Sequence, residues 1–142
     1  MTQRERPFWC NVFVVLSDHL QAVWTLPPGD ADYSTRWGAI EARFTRRAKA
    51  SGVVGWNPTL RTVSKTANGD AGIWQRRFWE HTIRDERDYR NHMAYCWGNP
   101  VKYGLVERLT DWTYSSIHRD IRAGRVDTEW SGVITDGAFG EP

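Results

Sequence analysis

Two runs rich in Val, Phe and Trp, residues 11–16 and 20–25, are separated by little more than the polar Ser17-Asp18. A break this short lets two strand-forming segments pair only as an antiparallel hairpin, because a parallel crossover needs a dozen or more residues. Pro27-Pro28-Gly29-Asp30 then interrupts the chain. Tyr33, Trp37, Ile40, Phe44 and Ala48 recur at helical spacing, with Asp30 or Asp32 available as N-cap. Residues 51–72 carry Gly, Asn, Pro, Ser and Thr with little periodicity and read as a long mobile connection. The alternation of Trp74, Arg76, Phe78 and Glu80 predicts a strand over 73–83. A helix follows over 85–98, which Asn99-Pro100 must end or bend, since a residue before proline avoids the α region. From Trp112 onward the chain reads as short helix and loop, with an acidic tail over 126–142. Together these elements predict an α+β fold.

At 142 residues the chain is expected to form one domain, 1–142. No apolar run approaches the ~20 residues of a membrane-spanning helix. The N-terminus shows no separate signal-peptide core, so a cytoplasmic location is expected. Cys10 and Cys96 form no CxxC pair, which excludes a disulfide scaffold and a zinc finger. The net charge of +2 is unevenly spread: 36–90 sum to +6 and 126–142 to −4. Sixteen of the nineteen basic residues are arginine, the side chain suited to bidentate phosphate contacts. Arg46-Arg47 and Arg76-Arg77 lie among Trp37, Trp56, Trp74 and Trp79. Cations interleaved with aromatics suit single-stranded nucleic acid, DNA or RNA, and equally describe a solvated helix face with a coding bias toward arginine.

His19 and Gln21, two apart on a strand, point to one face and offer an imidazole nitrogen beside an amide oxygen. That pair suits a divalent cation, Mg²⁺ or Mn²⁺, and equally describes a hydrogen-bonded structural histidine. On the helix after Ile83, Asp88, His92, Tyr95 and Asn99 fall at spacings of 4, 3 and 4 and share one stripe. Tyr89, Met93 and Cys96 form a more apolar opposing stripe. If the helix packs near the hairpin, Asn99 adds a third ligand beside Tyr95. Spacing alone does not choose Tyr95 among five tyrosines.

Four long words carry a resemblance. They are Val14-Val-Leu-Ser-Asp-His-Leu-Gln-Ala-Val-Trp-Thr-Leu-Pro27 with its continuation to Trp37, Gly72-Ile-Trp-Gln-Arg-Arg-Phe-Trp-Glu-His-Thr-Ile-Arg-Asp85, Tyr95-Cys-Trp-Gly-Asn-Pro-Val-Lys-Tyr-Gly-Leu-Val106, and Asp111-Trp-Thr-Tyr-Ser-Ser-Ile-His-Arg119. In these, from about Arg6 to Trp130, the chain resembles the REP-associated tyrosine transposases, single-tyrosine HUH nucleases of the IS200-like kind. The resemblance implies a ferredoxin-like antiparallel sheet with helices on one face. It implies a bacterial protein, associated with the nucleoid, monomeric or homodimeric, that cuts single-stranded DNA at palindromic hairpins through a 5′-phosphotyrosine. By the same resemblance His19 and Gln21 stand at the metal-binding pair, Tyr95 at the nucleophile and Asn99 at a further ligand. Arg46, Arg47, Trp74, Arg76, Arg77 and Lys102 would hold the DNA.

The chain departs from that family in two ways. Gln21 replaces the second histidine of the HUH pair, giving His-Leu-Gln, a pattern that resembles rolling-circle initiators of small circular-DNA viruses; weaker metal binding is the expected consequence. Members also carry a strand and a helix ahead of the Arg-Pro-Phe seen at Arg6-Pro7-Phe8, so the first strand and helix are expected to be missing. A late start site, a decayed transposase, or a strand supplied by a second chain would each account for this. The alternative function is therefore a remnant that binds DNA hairpins without cutting them.

Overall fold

The computed structural model describes residues 2–52, 73–75 and 78–132. They form an α+β protein whose chain divides into two compact units, one of Met1–Pro7 and Leu26–Trp79, the other of Phe8–Thr25 and Glu80–Pro142. Most of the connection expected over 51–72 and of the tail expected over 126–142 lies outside the described residues. No helix among the described residues is long and apolar enough to cross a membrane.

In the second unit, β1 (Trp9–Val15) and β2 (Leu20–Thr25) form the expected antiparallel hairpin, with Val14 opposite Gln21 and Val15 opposite Leu20. Leu16 N–H donates to the His19 carbonyl at 2.8 Å and closes the turn. Asn11 is an extra residue between Cys10 and Val12, a bulge that bends the strand. Period-two alternation sends Val12, Val14 and Leu16 inward. On its other edge β1 bonds the segment 114–116: Val15 N–H donates to Tyr114 O at 2.9 Å and Ser116 N–H to Phe13 O at 2.8 Å.

Helix α3 (Glu86–Lys102) packs on the hairpin, and Tyr95, Cys96 and Trp97 join Val12, Val14, Val23, Leu109 and Ile117 in the core. Asp85 caps its N-terminus, accepting from Asp88 N–H at 2.8 Å. The helix does not stop at Asn99-Pro100. Proline removes a single rung, and Tyr103 N–H donates to the Asn99 carbonyl at 2.9 Å just beyond it. The end comes at Gly104, whose φ of 69° lets Leu105 N–H reach Pro100 O at 2.9 Å and its own N–H reach Val101 O at 2.9 Å. A 3₁₀ turn (Leu109–Asp111) and helix α4 (Ile117–Arg122) complete this unit.

In the first unit, α1 (Thr2–Glu5) lies against α2 (Tyr33–Ala50), and Arg43 donates to both Thr2 Oγ1 and Glu5 Oε2. Asp32 is the cap of α2, accepting from Thr35 N–H at 3.1 Å. Asp30 instead takes both terminal nitrogens of the buried Arg36, whose guanidinium also donates to the Pro7 and Asp32 carbonyls. The strand expected over 73–83 is absent among the described residues of that range. Its aromatics instead meet α2 edge-on: Phe78 stands against Tyr33 and Trp37, and Trp74 against Phe44 at 5.4 Å. Alternation sorts side chains between two environments, and a ladder forms only when a neighbouring strand is there to pair.

Candidate functional site

The hairpin turn places His19 immediately before β2, and β2 places Gln21 two residues on. Helix α3 brings Tyr95 and Asn99, one turn apart, against that strand. Asn99, with no exposed surface, donates from Nδ2 to Gln21 Oε1, a link across 78 positions of sequence. The Tyr95 hydroxyl makes hydrogen bonds with Asn99 and Gln21. Burial holds the Tyr95 phenol above its ordinary pKa, and those two bonds work against the rise. The phenol is therefore protonated at neutral pH, and its attack on any electrophile needs local polarisation.

His19 is oriented by its neighbour. Its hydrogen bond lowers the Asp18 carboxyl below the usual carboxylate range, so Asp18 is an anion that can only accept. His19 Nδ1–H donates to Asp18 Oδ1 at 2.6 Å. The other ring nitrogen, Nε2, is buried and has no hydrogen-bond partner among the described residues. Asn99 Oδ1 is likewise buried without a hydrogen-bond partner among the described residues. His19 Nε2, Asn99 Oδ1 and the second lone pair of Gln21 Oε1 are one nitrogen and two oxygens, each of which a cation or a donor can satisfy. A carboxylate fixing the far nitrogen of an imidazole is the outer-sphere arrangement common around metal-ligating histidines.

Lys102, two turns after Tyr95 on α3, sets its Nζ 5.0 Å from the centre of the Tyr95 ring and 5.9 Å from that of Tyr103. The Tyr103 ring meets the His19 ring edge-on at 5.8 Å. The structure thus gathers His19, Gln21, Tyr95, Asn99 and Lys102 in one unit. Arg46, Arg47 and Trp74 belong to the other unit, the two arginines on the last turns of α2 and Trp74 donating from Nε1 to Thr45 Oγ1 at 3.1 Å. Arg76 and Arg77 lie outside the described residues.

Spacing along the chain does not mark Asp18 or Tyr103 as part of the site. Asp18 was legible as a carboxylate next to the candidate ligand, whereas the position of Tyr103 depends on how the helix ends. A further group, His81, Asp88 and His92, shows only in part along the sequence, because His81 lies outside the helix that carries the other two.

No family model matches the chain. It is 42% identical over 139 residues to the REP-associated tyrosine transposase of Escherichia coli, covering 98% of this chain and 72% of that protein. A protein of the same family name from Haemophilus influenzae is 39% identical over 128 residues, covering 89% of this chain and 68% of the relative. Among solved structures, that of a REP-associated tyrosine transposase bound to a REP hairpin superposes with a TM-score of 0.76 at 40% identity, covering 99% of this chain and 73% of the other.

Proposed function

The chain belongs to the REP-associated tyrosine transposases, and from that premise we propose that it cuts and rejoins single-stranded DNA beside a palindromic hairpin, with Tyr95 as nucleophile. The observation that carries the reading is the buried Tyr95 phenol bonded to Gln21 and Asn99, beside the orphaned His19 Nε2 and Asn99 Oδ1. In the proposed step Tyr95 Oη attacks the scissile phosphorus and the bond from phosphorus to the 3′ oxygen breaks. The phenol proton passes to water and the departing 3′ oxygen takes one up. A 5′-phosphotyrosine and a free 3′-hydroxyl result, and the retained phosphodiester energy allows rejoining without ATP.

His19 Nε2, Gln21 Oε1 and Asn99 Oδ1 would hold a Mg²⁺ or Mn²⁺ ion, which when bound polarises a non-bridging phosphate oxygen. All three ligands are uncharged, so affinity for the ion depends on the phosphate of bound DNA. Gln21 and Asn99 orient the Tyr95 hydroxyl through their hydrogen bonds, and Lys102 supplies a positive charge beside its ring.

Gln21→His should tighten Mn²⁺ binding, since an imidazole is the better donor for this ion than a carboxamide. Titration calorimetry with Mn²⁺ on the complex with hairpin DNA checks this, and an unchanged affinity would remove position 21 from the ligand set. On the DNA side, Arg46→Ala with Arg47→Ala should flatten the salt dependence of hairpin binding by about 0.7 in log–log slope for each phosphate no longer neutralised. An unaltered slope would place the DNA elsewhere.

The reading is tested on a denaturing gel with Mn²⁺ and a labelled oligonucleotide carrying a palindromic hairpin, where a Tyr95-dependent covalent band is expected. One observation favours a second reading, a DNA-hairpin binder without nuclease activity: Gln21 Oε1 already accepts from Asn99, a satisfied pair rather than a waiting ligand. Hairpin binding with no covalent band under any divalent cation would establish that reading instead.

A further inference from the structure

We propose that His81, Asp88 and His92 form a second cation site, built for a borderline transition-metal ion of the Zn²⁺ class and made of different residues from the His19 group. His81 comes from the irregular segment ahead of α3, and Asp88 and His92 lie one turn apart on α3 itself. His81 Nε2 stands 2.8 Å from Asp88 Oδ2; His92 Nδ1 stands 3.1 Å from Asp88 Oδ1 and donates to the Asp88 backbone carbonyl at 2.9 Å, which leaves Nε2 as the atom His92 offers an ion. One ligand atom from each residue lies within 4.8 Å of the other two. Asp88 and His92 are buried and the His81 side chain is a quarter exposed, so an ion has both a dry seat and a way in.

The donor chemistry separates this group from the first. Two imidazoles and a carboxylate favour Zn²⁺, Co²⁺ or Ni²⁺, whereas one imidazole with two amide oxygens favours harder ions. The ligand charge is in place at neutral pH, because the Arg84 guanidinium and His81 hold the Asp88 carboxyl far below its usual range.

Two rearrangements accompany binding. The rings of His81 and His92 are stacked, centroids 4.5 Å apart and planes 8° from parallel. A nitrogen lone pair lies in the plane of its ring, so one ion reached by both requires one ring to tilt. His81, on irregular backbone, has that freedom. Arg84 Nε shares Asp88 Oδ2 at 3.0 Å, and its side chain, 74% exposed, can move into solvent as the ion arrives. The ion thus takes over the countercharge that the guanidinium supplies, and it ties the segment around His81 to the helix that carries Tyr95.

The test uses the full chain carrying His19→Ala, which disables the first group, titrated with Co²⁺ and followed by its visible d–d absorption. One Co²⁺ per chain, displaced by Zn²⁺, is the expected result. His81→Gln in the same background should weaken it by about tenfold or more. Glutamine still donates a hydrogen bond to Asp88, so the fold is kept while the imidazole ligand is lost; circular dichroism checks that. Absence of a Co²⁺ spectrum in the His19→Ala chain would overturn the proposal, as would an affinity unmoved by His81→Gln in a folded protein. Neither result bears on the nuclease reading, which stands or falls on the Tyr95-dependent covalent band.

Discussion

Tyr95→Phe should abolish the covalent protein–DNA band while leaving hairpin binding at its original affinity. Phenylalanine fills the same buried slot, so the ring keeps its packing with the core around Val12, Val14 and Trp97. Only the hydroxyl is lost, together with its bonds to Asn99 and Gln21, at a cost of about 1 kcal/mol in stability for each. The chemistry suffers far more, because no remaining atom at that position can attack phosphorus. The measurement is a denaturing gel for the adduct beside a native gel for binding. A band of undiminished strength would transfer the nucleophile to another tyrosine. Tyr103, which is 43% exposed and meets the His19 ring edge-on, is the first to examine.

Trp97→Ala should cost about 3–5 kcal/mol of stability, a large share of the roughly 5–15 kcal/mol that holds a typical domain together. Trp97 is the largest fully buried side chain among the described residues. Its ring stands edge-on to Trp130 at 5.5 Å, and its Nε1–H donates to Ser116 Oγ at 3.0 Å. That same Ser116 Oγ accepts from Phe13 N–H at 3.0 Å, so one side chain links α3, β1 and the start of α4. Alanine leaves a cavity and removes one of the two donors to the serine. Urea denaturation followed by circular dichroism gives the difference directly, and a loss below about 1 kcal/mol would mean that the surrounding residues collapse into the space.

The parts of the fold that were legible in the sequence are those governed by neighbours along the chain. The hairpin followed from two strand-forming runs and a short break, and α2 followed from its apolar periodicity. The stripe Asp88, His92, Tyr95 and Asn99 was readable because 3.6 residues per turn places such spacings on one face. Two local expectations failed for physical reasons that lie further away. The aromatics over 73–83 alternate, yet they settle against α2 where a strand partner would have been needed. Asn99-Pro100, expected to end the helix or bend it, does not end it: the terminus is set by Gly104 and the two backbone bonds that its positive φ permits.

The buried Arg36 shows a different limit. Nothing in its place on α2 marks it as interior, since an arginine is mostly found at the surface. Its burial depends on Asp30 and on the carbonyls of Pro7 and Asp32 being there to take its donors, which is a property of three segments at once.

The sequence by itself determined the α+β character of the protein, its hairpin, its two long helices and the residue types of its candidate site. Tertiary structure alone decided that Gln21 meets Asn99 across 78 positions, that His19 Nε2 and Asn99 Oδ1 find no hydrogen-bond partner among the described residues, and that His81 stacks on His92 beside Asp88. Periodicity and capping act over a few residues, through the geometry of one turn or one pleat. Which polar atoms are stranded, and which meet, depends on what other segments bring to the same place, and spacing along the chain carries no record of that.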